Sequence, residues 1–124
     1  MSEVLMSIKP EFAEKIFYGN KKFEFRKTIF KNTNVHKVIV YASSPIQRII
    51  GEFEITDILN DDVEKIWDIT ADYSGITKDY YMSYFSNKKK AYAIKIGKTK
   101  LYKEVRNLSD YNLKVAPQSF AYIK

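Results

Sequence analysis

The sequence predicts an α+β, mainly β, architecture: a small mixed β-barrel of about six strands with flanking helices, built as one domain over residues 1–124. Three observations lead to it. Short runs with alternating apolar residues recur along the chain and are separated mostly by polar turns. The run Val38-Ile39-Val40-Tyr41 is apolar on both faces, as a strand in the middle of a sheet must be. Gly51 interrupts a long strand pattern, where a bulge or bend would let a sheet curl into a barrel. With 124 residues, 45% of them apolar, the chain can bury one core but is too short for two ordinary domains.

Residues 4–9 form the first predicted strand. Pro10 suits the first position of a helix, and Phe12, Ala13, Ile16 and Phe17 give that helix an apolar stripe. Gly19, a residue that tolerates positive φ, stops it. A second strand covers residues 22–29, with Phe23 and Phe25 on one face and Lys22, Glu24 and Arg26 on the other. After a polar loop at 31–34 comes the central strand, broken by Ser43-Ser44-Pro45. A long strand follows over 48–58. Asp61-x-x-Glu64 has the form of a capping box opening a helix with Val63, Ile66, Trp67 and Thr70. Thr77 caps the next helix, whose Tyr80, Tyr81, Tyr84 and Phe85 are spaced as a core stripe, with Trp67 also assigned to the core. Residues 92–96 and 101–105 read as a hairpin turning at Gly97-Lys98, and residues 119–123 as a closing strand.

Composition excludes several classes. The absence of cysteine rules out disulfides and thiolate metal sites, and the lone His36 is expected to be structural or solvent-exposed, so no metal or cofactor is expected. No apolar run approaches the ~18 residues of a membrane span, and the start of the chain lacks a basic segment followed by an apolar one, so the expected location is the cytoplasm. There is no phosphate-binding glycine loop and no serine nucleophile elbow. The net charge of +6 is unevenly spread: residues 52–72 carry eight acids against Lys65 alone, whereas residues 88–106 carry eight basic residues against Glu104. The runs could be solvated surface, or an acidic and a basic flank whose field orients a polyanion. The lysine-rich segment holding Lys98 and Lys100 includes Tyr92 and Tyr102 as candidate stacking surfaces.

The densest chemistry lies in Gly19-Asn20-Lys21-Lys22-Phe23-Glu24-Phe25-Arg26. A strand face bearing a lysine, a glutamate and an arginine is costly to bury even when its ions are paired. A polar cleft open to water or an anionic ligand is cheaper. One reading is an exposed salt-bridged face, which would contribute only ~0–1 kcal/mol per pair. The other is a ligand site in which the Arg26 fork grips a phosphate or base edge, Lys21 adds a point charge, and Glu24 orients both or accepts from an exocyclic amine. Lys9, Ser43 and Ser44, at predicted strand ends, suit phosphate or sugar contacts, although Ser-Ser-Pro is equally ordinary turn chemistry. Lys21 with Glu24 is the one pair placed for acid–base work.

The spacing G-x-K-x-x-E-x-R, filled by Gly19, Lys21, Glu24 and Arg26, resembles the signature of the ASCH domain, a branch of the PUA-like superfamily. Ser7-Ile8-Lys9-Pro10 with Phe12-Ala13-Glu14-Lys15-Ile16, Tyr41-Ala42-Ser43-Ser44-Pro45 with Ile50-Gly51-Glu52-Phe53, and Pro117-Gln118-Ser119-Phe120 extend the resemblance over most of the chain. It implies a PUA-like barrel binding RNA or a nucleotide-like ligand, with DNA as the alternative partner, in a regulatory role in translation or transcription. Lys21, Glu24 and Arg26 would line the cleft and Gln118 would suit a base edge. Some ASCH-like proteins hydrolyse modified nucleosides, but in that branch a threonine stands where this chain has Glu24. The expectation is therefore a binding domain rather than an enzyme, its ligand touched by Lys9, Lys21, Lys22, Glu24, Arg26, Ser43, Ser44, Lys98, Lys100 and Gln118. A small hydrolase or nuclease using Lys21 and Glu24 in the same cleft is the second expectation. An interaction module using the acidic helix is the third.

Overall fold

A computed structural model describes residues 2–123, and its framework is a six-stranded mixed sheet in the order β2-β5-β4-β3-β1-β6. The strands are β1 (Ser2–Ile8), β2 (Phe23–Arg26), β3 (Val35–Ala42), β4 (Arg48–Asp62), β5 (Lys90–Arg106) and β6 (Phe120–Ile123). β1 and β3 are parallel and the remaining neighbours antiparallel. Three helices accompany them: α1 (Pro10–Phe17), α2 (Val63–Thr70) and α3 (Lys78–Tyr84).

Alternation along the strands divides the apolar residues among three cores. Val4, Met6 and Ile8 of β1, with Val38, Val40, Phe53 and Ile94, pack on one face beneath Ala13 and Ile16 of α1. Leu5, Ile39, Tyr41 and Ile49 point to the opposite face, where Tyr102 and the 3-10 turn Leu108–Tyr111 cover them. β1 and β3 are thus buried on both sides, as the continuous apolar run at 38–41 requires. Phe23 and Phe25 of β2 join Ile66, Tyr81 and Phe85 of α2 and α3 in the third core.

The sheet is not closed into a barrel, which corrects the predicted architecture. β2 and β6, each only four residues long, are its two edges. Register shifts flank Gly51 on both sides, at Val40/Tyr41 against β3 and at Ile49/Gly51 against β5, so the predicted irregularity is where the sequence puts it. The resulting curl brings β2 back toward β1, and the gap is bridged by a side chain rather than a ladder: Arg26 Nη2 donates to the Ser7 carbonyl at 2.8 Å.

Three further expectations are corrected. Residues 90–106 form one continuous strand, not a hairpin. Gly97 sits in a bulge of the β4–β5 ladder, and a Cβ there would meet Thr56 Cγ2 at 2.7 Å, so the glycine serves close approach rather than a turn. The Asp61/Glu64 capping box does not form. Asp62 is the N-cap without a side-chain cap bond, and its carboxylate is held by Lys90 Nζ at 2.9 Å. Most consequentially, the acidic and basic runs lie on adjacent strands in register, with Glu52 beside Lys100, Asp57 beside Lys95 and Asp62 beside Lys90. These charges offset one another locally, so they do not form separate acidic and basic flanks.

Replacing Gly97 with Ala should destabilise the fold by roughly 1–3 kcal/mol, the usual cost of overpacking. Because the clash is with a methyl group, Thr56→Ser in the same chain should recover most of the loss. Chemical denaturation of the single and double variants checks both statements.

Candidate ligand-binding site

The site occupies the gap between β2 and β1. The chain leaves α1 at Tyr18 and passes through Gly19 into residues 20–22, which are clamped between two neighbours. Lys22 N–H donates to the Tyr73 carbonyl at 2.8 Å, and the Lys22 carbonyl accepts from Ile96 N–H at 2.9 Å. This clamp turns Lys22 outward and Lys21 inward. Lys21 is 2% exposed, its Nζ donates to the Ser74 carbonyl at 2.7 Å, and it stands 4.8 Å from the centre of the Phe25 ring and 5.5 Å from that of Phe12. Gly75, at φ +70°, lies against its aliphatic stem, and a Cβ there would come within 2.6 Å of Lys21 Cβ. The Lys21 stem therefore runs through space that only a glycine at 75 leaves open.

Glu24 and Arg26 are also buried. Across the ladder Glu24 faces Ile94 and Arg26 faces Tyr92, while Phe25 faces Ala93, so the two charged side chains project away from the α2–α3 core. Glu24 Oε2 and Arg26 Nη2 are 3.0 Å apart. Arg26 Nη2 is thus shared between Glu24 and the Ser7 carbonyl, whereas its buried Nε has no hydrogen-bond partner. Burial pushes the Lys21 ammonium down to about 8; the Glu24 carboxylate opposes this, and Lys15 and Arg26 add to it.

These side chains surround a cavity of about 160 Å³. The volume is on the order of the ~150 Å³ void that admits a benzene ring, so it accommodates one ring-sized group. Its polar side is Lys9, Lys21, Glu24 and Arg26, and its walls include Ile8, Phe12, Phe25 and Ile76, with Tyr80 and Tyr84 of α3. Tyr80 packs edge-on against Phe12, with ring centres 5.1 Å apart.

Lys9, Lys21, Glu24 and Arg26 are therefore brought together, and other sequence candidates lie outside the cavity. Lys22 is exposed on the far side of the clamp. Ser43 donates its N–H to the Ile8 carbonyl beside the end of β1, and Ser44 is exposed in the turn that follows; neither lines the cavity. Gln118 is exposed next to Pro117, whose carbonyl accepts from Ser7 Oγ, so the tail passes the site without entering it. Lys98 and Lys100 lie on β5 beyond the stretch paired with β2. Tyr102 is buried, with its hydroxyl on Glu52 and the Arg106 guanidinium 3.9 Å over its ring, and offers no stacking surface.

The spacing places the whole aromatic helix in the core, but only Tyr81 and Phe85 are buried there, with Tyr84 packed against them at the margin. Tyr80 and Tyr84 form a second stripe one position away and face the cavity. The signal was present: two adjacent i, i+4 aromatic pairs are too wide for a single core-facing stripe. Among the described residues no cluster of His, Asp and Glu could hold a metal ion, and no helix is long and apolar enough to cross a membrane.

Lys21 carries its charge in both folded and unfolded chains below pH 8. Between about 8 and 10.5 the folded chain loses the proton first, so the Lys21 contribution to stability rises with pH through that window, by up to about 3 kcal/mol. Lys21→Met should remove this rise, seen as a flatter difference in denaturation midpoint between pH 7.5 and 10 than the unsubstituted chain gives.

Comparison with known proteins accords with this geometry. The ASCH domain family model matches residues 6–100. The chain is 32% identical over 122 residues to the ATP synthase subunit alpha of Ureaplasma parvum serovar 3, and 30% identical over 124 residues to the large ribosomal subunit protein uL22 of the same organism. Each match takes 98% of this chain but only 15% and 39%, respectively, of those longer proteins. It is 31% identical over 91 residues to the ASCH domain-containing ribonuclease of Zymomonas mobilis, covering 73% of this chain and 62% of that protein. The crystal structure of ASCH from Zymomonas mobilis superposes with a TM-score of 0.89 at 27% identity, over 98% of this chain and 87% of that one. With the signature residues gathered at one cavity and the family model spanning most of the fold, the chain belongs to the ASCH domain family, a PUA-like branch.

Proposed function

We propose that this domain binds single-stranded RNA, or a nucleotide of it, by taking one base into the cavity between β2 and β1. The observation that carries this reading is the cavity itself: ring-sized, walled by aromatic side chains, and ending on a buried carboxylate and two cations with an unpartnered Arg26 Nε. A flat heterocycle satisfies both sets of walls. Its faces lie against Tyr80, Tyr84 or Phe25, and its polar edge supplies an acceptor for Arg26 and a donor for Glu24. The relative named as an ASCH domain-containing ribonuclease supports RNA as the polymer. Binding of this kind suits a regulatory module in translation or transcription.

Arg26 is a poor residue to delete as a test, because its loss leaves Glu24 buried and unpaired and severs the bridge to β1. Tyr84→Ala and Glu24→Gln are better. Base stacking on an aromatic is worth ~1–3 kcal/mol, so Tyr84→Ala should weaken binding of a labelled eight-nucleotide RNA by roughly 5- to 150-fold in fluorescence anisotropy. An unchanged affinity in both variants would remove the base from this cavity, and a DNA strand of the same sequence measured alongside decides between the two polymers.

A second reading, RNA cleavage at the same cavity, is favoured by one observation. The buried Lys21 amine sits near neutrality beside Glu24, so it can exchange a proton with a ligand hydroxyl. Cleavage of the same RNA, rising with pH through about 8 and lost in Lys21→Met, would replace the binding reading with the nuclease. Binding without turnover from pH 6 to 9 would leave the binding reading in place.

A further inference from the structure

Two lysines at the cavity mouth define what flanks the base. Lys9 Nζ stands 5.2 Å from the centre of the Tyr80 ring, and Lys27 Nζ stands 4.7 Å from that of Tyr84. Both tyrosines line the cavity. They are one turn apart on α3, so the two ammonium groups are held at separate points of the rim, one from the start of α1 and one from the end of β2. Cation–π contact fixes a flexible lysine without consuming its charge.

Some basic residues have their charge answered nearby: Lys37 is paired with Glu52, Lys90 with Asp62, and Lys95 and Lys100 lie beside acids of β4. Neither Lys9 nor Lys27 has a carboxylate in salt-bridge reach among the described residues. Both are exposed, so each can meet an anion without a large desolvation cost. One uncompensated cation on the rim would match a terminal phosphate. Two, standing over different aromatic walls, match a phosphate on each side of the same sugar.

We infer that the ligand is an internal nucleotide of a single strand, its 5′ and 3′ phosphates gripped separately by Lys9 and Lys27, and not a free nucleoside or a chain end. The inference rests on the base-in-cavity reading and adds the two phosphates to it. Lys27 lies outside the G-x-K-x-x-E-x-R spacing and enters the site only through its position over Tyr84.

The test is isothermal titration with the four nucleoside 3′,5′-bisphosphates, followed, for the tightest, by its 5′-monophosphate, its 3′-monophosphate and the nucleoside. Each phosphate should tighten binding on the order of tenfold at low salt, as charge-assisted hydrogen bonds do. Lys9→Gln should abolish the increment from one phosphate and Lys27→Gln the increment from the other, each increment being taken relative to the same variant's affinity for the nucleoside. With the eight-nucleotide RNA, each substitution should reduce the slope of log K against log salt by about 0.7. A nucleoside that binds as tightly as its bisphosphate would overturn the inference and leave the base reading intact. So would a single phosphate increment, or both substitutions acting on the same phosphate. Failure of all four bisphosphates and of the RNA to bind would overturn both.

Discussion

The hydrogen bond from Arg26 to the Ser7 carbonyl stands where a strand ladder would otherwise close the sheet. β2 pairs through only four residues with β5, and its other side has no neighbouring strand. A side chain is longer than a backbone hydrogen bond, so bridging the two strands with Arg26 keeps them apart and leaves room between them. That room is the cavity. Shared between Ser7 and Glu24, the Nη2 group supports the fold, while the buried Nε on the same guanidinium has no hydrogen-bond partner.

Part of this was legible in the sequence and part was not, for identifiable reasons. The segment from Gly19 to Arg26 disclosed its helix stop, its strand and its charged face, because each depends on residues close in sequence. The charged face of β2 suggests groups kept open to water. Instead, Lys21, Glu24 and Arg26 are buried, paired or hydrogen-bonded around a cavity, and only the fold brings their partners Ser7 and Ser74 to them. Strand register, likewise, is set by contacts between distant residues. Nothing local told that residues 52–62 and 90–100 would run side by side, so two charge runs that look like opposite flanks are neighbours on one ladder. Gly97-Lys98 misled in the same way: a glycine inside a strand serves close approach as readily as a turn, and only the position of Thr56 decides which.

With Lys90, Lys95 and Lys100 set beside Asp62, Asp57 and Glu52, the surplus positive charge of the chain is not concentrated on the long ribbon. An interaction between Lys100 and Glu52, or between Lys95 and Asp57, is thus a matter of short-range contact on one ladder and not of a field across the molecule.

The fit of Gly75 over the stem of Lys21 has a consequence for how this fold can change. The two residues are far apart in the chain yet share one volume: a Cβ at 75 would stand 2.6 Å from Lys21 Cβ, an atom that every residue but glycine carries. A shorter side chain at 21 therefore makes no room, and the φ of +70° opposes a side chain at 75 whatever stands opposite it. The loop from 71 to 76 is thereby tied to the signature it covers, since its Tyr73 carbonyl takes the Lys22 N–H and its Ser74 carbonyl takes the Lys21 ammonium.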